Sequence, residues 1–194
     1  MKQDVLEPGA TYHIFNRGNN GENIFKDEGN YFYFLRLVET HLLPVCDIYA
    51  YCLLQNHFHL LLKIKDKEEL SLIHQQKIHL PFSNLFNAYN KAINKKYNRT
   101  GSLFQEHLKR KRVSDGKYLI QLIAYIHLNP VKHNFVEDHR IYRFSSYKAY
   151  TSNKTSRIDT DYIFSLLDKE VFQQWHNERS LNSEYLNNFL RDQT

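Results

Sequence analysis

His57 and His59 stand one residue apart in the run Gln55-Asn56-His57-Phe58-His59-Leu60-Leu61-Leu62. On a strand, residues two apart share a face, so this spacing would project two imidazoles side by side. Neutral imidazole nitrogens bind divalent metals, and a pair on one face is the start of a metal site. The spacing alone says little, because 11 histidines among 194 residues make roughly 0.6 such pairs by chance. The face says more. Phe58, Leu60, Leu62 and Ile64 form one apolar side, whereas His57, His59, Leu61 and Lys63 form the other.

Tyr125 is a second residue with chemical potential, a phenol that acts as a nucleophile once its proton is removed. It lies in Ala124-Tyr125-Ile126-His127-Leu128-Asn129-Pro130, where Leu119, Leu122, Ile123 and Ile126 mark a buried helical stripe. Tyr125 and Asn129 fall about 110° and 70° from the centre of that stripe, one turn apart on the same side. The angles predict that both flank the core. A tyrosine so placed is more often an amphipathic cap on the core.

Charge adds a third signal. Between Lys91 and Lys117 stand nine cations against Glu106 and Asp115, although the whole chain carries only +5. Such a segment suits a phosphate backbone, and 14 tyrosines and 13 phenylalanines supply surfaces on which unpaired bases stack. A solvated charged face over an aromatic core has the same composition. On a strand, the run Lys109 to Arg112 would send Lys109 and Lys111 one way and Arg110 and Arg112 the other.

The elements that must position these residues follow from periodicity and turn chemistry. Thr11 to Arg17 reads as a strand and Gly18 to Gly29 as a loop. Asn30 to Leu43 reads as a helix closed by Pro44. Ile48 to Leu54 is a nearly continuous apolar run of central-strand type, followed by the turn Gln55-Asn56 and the strand His57 to Lys65. Pro81 to Tyr97 reads as a helix with proline in its first turn, and Leu103 to Val113 as a basic strand. A third helix, capped by Ser114, runs to about Asn129, where Pro130 discourages continuation. This order predicts an α+β fold, the ferredoxin-like split βαβ, with an antiparallel sheet, helices on one face and the other face free for ligands. The expected organisation is a domain over residues 1–136 and a partly helical C-terminal extension over 137–194, with helices around Asp161 to Trp175 and Leu181 to Leu190.

Two cysteines, Cys46 and Cys52, are too few for a disulfide framework. Met1 to Glu7 lacks the apolar stretch of a signal peptide, and no apolar run approaches the roughly 20 residues of a membrane span. The expectation is a cytoplasmic protein with no membrane partner.

Five segments together resemble the single-tyrosine HUH transposases of bacterial insertion sequences, especially the REP-associated tyrosine transposase branch. They are Tyr12-His13-Ile14-Phe15-Asn16-Arg17-Gly18-Asn19-Asn20, Gln55 to Leu62, Gly101-Ser102-Leu103-Phe104-Gln105, Tyr125-Ile126-His127-Leu128-Asn129-Pro130-Val131 and Phe144-Ser145-Ser146-Tyr147. In the family's order they cover about residues 8 to 165. The resemblance implies that His57 and His59 coordinate Mg²⁺ or Mn²⁺, with Asn129 as a third ligand. It implies that Tyr125 attacks single-stranded or hairpin DNA to form a covalent 5′-phosphotyrosine, and that residues 1–136 are the catalytic domain. The metal, or a nearby base such as His127, would activate the phenol. Arg17 and the Lys109, Arg110, Lys111, Arg112 run are candidate DNA contacts. Relatives with this fold occur as monomers and as homodimers. The alternative is a domesticated module that binds structured nucleic acid without cutting it.

Overall fold

The computed structural model describes residues 4–106, 108–152 and 154–180. Alternation along β1 (Thr11–Arg17) and β3 (His57–Ile64) separates two chemistries, as their pattern predicts. Tyr12, Ile14, Phe58, Leu60, Leu62 and Ile64 enter one core, while Leu61 enters a second on the opposite face. β2 (Cys46–Leu54) pairs with β3, β3 with β1, and β1 with β4 (Lys109–Val113), all antiparallel, in the order β2-β3-β1-β4. α1 (Glu28–His41) and α3 (Leu80–Lys96) pack together over the first face. The short α2 (Leu72–Gln76) precedes α3. This is the ferredoxin-like α+β arrangement that the element order predicts.

A register shift between Ile48 and Ala50 changes the parity of β2. Such a bulge turns neighbouring side chains to the same face. Ile48 therefore joins the first core, while Tyr49 and Ala50 both join the second.

The second face departs from expectation, because it is only partly open. α4 (Gly116–Lys132) lies across it, with its main contacts on β2. Beyond α4 the chain forms α5 (Tyr147–Thr151), α6 (Thr160–Leu166) and α7 (Lys169–Ser180), so the helix expected around Asp161 to Trp175 is two helices. Tyr147, Tyr150, Ile163 and Phe172 close over α4 in the second core. The same segment covers the outer edge of β2. Leu53 N–H donates to Phe144 C=O at 2.9 Å, Ser146 N–H to Tyr51 C=O at 3.0 Å, and Asp159 N–H to Ile48 C=O at 2.9 Å. Pairing of this kind protects a sheet edge. The helix expected over Leu181 to Leu190 lies outside the described residues.

Three boundaries also differ. Asp27 and Asn30 form a reciprocal capping box, so α1 begins at Glu28. The basic strand is only β4, preceded by an isolated bridge between Gly18 and Phe104. α4 is capped by Asp115, whose side chain accepts from Tyr118 N–H at 2.9 Å, and it runs through Pro130 to Lys132. Proline there removes one helical donor, and burial of the helix from Leu119 to Pro130 holds the turn together. The helix ends with His133 N–H on Asn129 C=O at 3.0 Å and with Asn134 at a left-handed φ of 57°, a conformation asparagine tolerates.

Candidate active site

β3 and α4 bring His57, His59, Tyr125 and Asn129 together. The His57 and His59 rings lie 5.4 Å apart, nearly perpendicular at 89°. The Tyr125 ring stands 5.6 Å from that of His59. Asn129 Nδ2 donates to Tyr125 C=O at 3.3 Å, which turns its Oδ1 toward His57 Nε2, 3.4 Å away. On its other side, His57 Nδ1–H donates to Asn56 Oδ1 at 2.7 Å. The Nε2 of a neutral His57 then carries a lone pair, as does the Asn129 oxygen facing it. Two facing acceptors repel unless a hydrogen or a cation lies between them.

The electrostatics keep both histidines neutral. Burial, followed by the nearby His133, Arg17 and Lys132, pulls His57 down to about 4. Burial also holds His59 well below the usual imidazole value, with His13 and His57 adding to the effect. Neutral imidazoles are the metal-ligating form. Burial raises the Tyr125 phenol, and Asn129 beside it offsets part of that. The donor set of two imidazole nitrogens and an amide oxygen fits a divalent ion that takes its remaining ligands from substrate and water. Among the described residues, no three His, Cys, Asp or Glu side chains form a metal-holding group.

Two of these residues are more deeply placed than the helical angles predict. Tyr125 is 2% exposed and Asn129 0%. The angular reading assumes solvent beyond the flank of the stripe, but α4 lies against β2 and β3 there, with Tyr125 beside His59 and Asn129 facing His57. His127 is corrected outright as a base for Tyr125. It is fully buried on the opposite side of α4, with Nδ1 3.0 Å from His176 Nε2 and Nε2 2.8 Å from Ser146 Oγ.

The cationic residues divide as alternation predicts. Lys109 lies over the Phe15 ring at 6.0 Å and Lys111 over the Tyr118 ring at 5.6 Å. Arg110 and Arg112 point to the other face, where Arg110 reaches the Asp4 carbonyl and Arg112 pairs with Glu7 at 2.5 Å. Arg17 pairs in register with His57 and is exposed.

Two site residues escaped sequence reasoning. His13, 1% exposed, places Nε2 2.9 Å from His59 Nδ1. With His59 Nδ1 as the donor, His59 Nε2 keeps its lone pair, the usual second contact of a metal-binding histidine. The signal was cross-strand: His13 shares its face with Phe15, whose register partner is His59. The other residue is Lys132, whose Nζ lies over the Tyr125 ring at 5.4 Å. Its position seven residues after Tyr125 is the helical signal, lost when the helix is ended at Asn129.

Comparison with known proteins gives a family and a fold. The family model described as IS200-like transposase matches residues 8–129. The fold matches the solved structure of a REP-associated tyrosine transposase bound to a REP hairpin, with a TM-score of 0.59 and 15% identity over 79% of this chain and 86% of that one. At that identity the likeness is one of fold. No curated protein matches significantly.

Proposed function

The chain belongs to the family of IS200-like transposases, and on that premise we propose that it cleaves and rejoins single-stranded DNA through a covalent 5′-phosphotyrosine on Tyr125. The observation that carries this reading is the convergence of Tyr125 and Asn129 on α4 with His57 and His59 on β3. His57, His59 and Asn129 would hold Mg²⁺ or Mn²⁺. When bound, the ion supplies polarisation of a nonbridging phosphate oxygen. Tyr125 loses its proton and its oxygen attacks phosphorus. The bond to the 3′ oxygen breaks, that oxygen leaves as a hydroxyl, and the phosphate stays on Tyr125. Attack by another 3′ hydroxyl reverses the step and joins a new strand.

Tyr125 lies beside His59 of its own chain, which supports action in cis by a monomer. Arg17, Lys109 and Lys111 line the same face and suit phosphates, and Phe15 offers a surface for a base. The solved protein of like fold is bound to a hairpin, which supports a hairpin-flanked single strand as the substrate.

The test is a labelled hairpin oligonucleotide incubated with the protein and Mn²⁺, followed by denaturing electrophoresis. A covalent adduct should form and disappear in Tyr125→Phe. An undiminished adduct in that variant would remove Tyr125 from the role. The burial of Tyr125 favours a second reading, a domesticated binder of structured nucleic acid, which predicts hairpin binding with no adduct and no dependence on His57 or His59.

A further inference from the structure

A lysine near a protein surface ordinarily buries its methylenes and keeps its ammonium in water. Lys132 does the reverse. The residue is only half-buried, yet its Nζ is sealed from solvent and has no hydrogen-bond partner among the described residues. Several other cations are matched, as in Lys96 with Asp27, Arg99 with Glu22, Arg143 with Glu28 and Arg157 with Glu39. Near Lys132 the groups that feel its charge are His57, His59 and His133, and none of them is anionic. Burial pulls its pKa down to about 8, with no acidic neighbour opposing the shift. The ring of Tyr125 attracts the ammonium, but a cation–π contact recovers less than the loss of hydration at an unpaired charge.

An uncompensated cation held inside a reaction site is complementary to an anion that arrives with the substrate. α4 supplies the placement. Two helical turns separate Lys132 from Tyr125 and bring them to one side, and the continuation of the helix through Pro130 is what keeps the ammonium over the ring. Arg17, Lys109 and Lys111 lie on the open part of this face and suit the flanking backbone.

We propose that Lys132 binds the phosphate attacked by Tyr125, its ammonium donating to a nonbridging oxygen of the scissile phosphodiester and keeping that contact in the phosphotyrosine. Lys132 forms and breaks no covalent bond. It stabilises the charge gathered on phosphorus while the Tyr125 oxygen bonds to phosphorus and the 3′ oxygen departs as a hydroxyl. The inference rests on the reading of Tyr125 as the nucleophile.

The test compares the full chain with Lys132→Met and Lys132→Arg, using the labelled hairpin oligonucleotide and Mn²⁺. The measurements are single-turnover adduct formation, oligonucleotide affinity in Tyr125→Phe backgrounds, and thermal unfolding without DNA. Methionine matches the length of the stem and removes a desolvated charge. Lys132→Met should therefore unfold at a higher temperature while forming adduct about 100-fold more slowly, the scale of losing one preorganised donor. Its affinity should fall about tenfold, and Lys132→Arg should recover much of both losses. A Lys132→Met adduct rate within about threefold of wild type overturns the proposal, as does a rate loss accompanied by a lower unfolding temperature and not restored by arginine. Wild-type protein that binds the oligonucleotide but forms no adduct refutes the Tyr125 reading instead. The affinity comparison then decides Lys132, and equal binding by the Tyr125→Phe protein with and without Lys132→Met overturns its assignment.

Discussion

Ser146→Ala should destabilise the protein far more than the loss of one hydroxyl suggests, because Ser146 ends a chain of hydrogen bonds whose direction is forced. His176 Nδ1–H donates to Phe172 C=O at 2.8 Å, which makes His176 Nε2 an acceptor. His127 Nδ1–H donates to it at 3.0 Å, leaving His127 Nε2 to accept from the Ser146 hydroxyl at 2.8 Å. The Ser146 oxygen in turn accepts from Tyr51 N–H at 2.9 Å. His127, His176 and Ser146 are all buried, so alanine leaves the Tyr51 amide and the His127 nitrogen without partners. Each stranded group costs about 1–3 kcal/mol, which puts the loss at about 2–6 kcal/mol. Ser145→Ala is the matched control. Ser145 is also buried, but its oxygen accepts one long bond, from Tyr147 N–H at 3.3 Å, so its loss should be about 1 kcal/mol or less. Urea unfolding at pH 7.5, with an unchanged slope for each variant, measures both differences. Ser146→Ala within about 0.5 kcal/mol of wild type, or indistinguishable from Ser145→Ala, would refute the directional chain; the threshold follows from the usual net worth of a hydrogen bond.

Tyr125→Phe should abolish the covalent adduct yet unfold within about 1 kcal/mol of wild type, since the ring packing persists; a collapse in stability would make the adduct loss uninformative about chemistry. Acid should destabilise the metal-free protein. Burial holds His59 and His127 well below the usual histidine value and His139 at about 4, so the unfolded chain binds more protons and stability falls as pH drops below about 6.5. From pH 7.0 to 5.5 each group costs about 1 kcal/mol, together about 3–4 kcal/mol, and urea midpoints that stay level across this range would contradict the neutral buried histidines. His13→Phe should weaken Mn²⁺ binding about 10–100-fold by releasing His59 from its fixed orientation, read by calorimetric titration; unchanged affinity would remove His13 from the site.

Much of this protein is legible in local periodicity. The two-residue repeat of β3 puts His57 and His59 on the face opposite Phe58, Leu60 and Leu62, and the four-residue spacing of Tyr125 and Asn129 puts them on one side of a helix. These facts depend only on backbone geometry, so sequence order alone determines them, along with the α+β order of elements. What covers a face is a different matter. Sequence periodicity does not reveal how α4 lies against β3, so Tyr125 and Asn129 read as flanking the core when they are buried in it. Nor does it reveal His13 beside His59, a contact made across 46 residues by strand pairing. It misleads at Pro130, where the local cost of proline is real but tertiary burial holds the helix together for another turn. That turn carries Lys132 to Tyr125. Local rules determine which way a side chain faces, and long-range packing decides what it meets there and whether water remains.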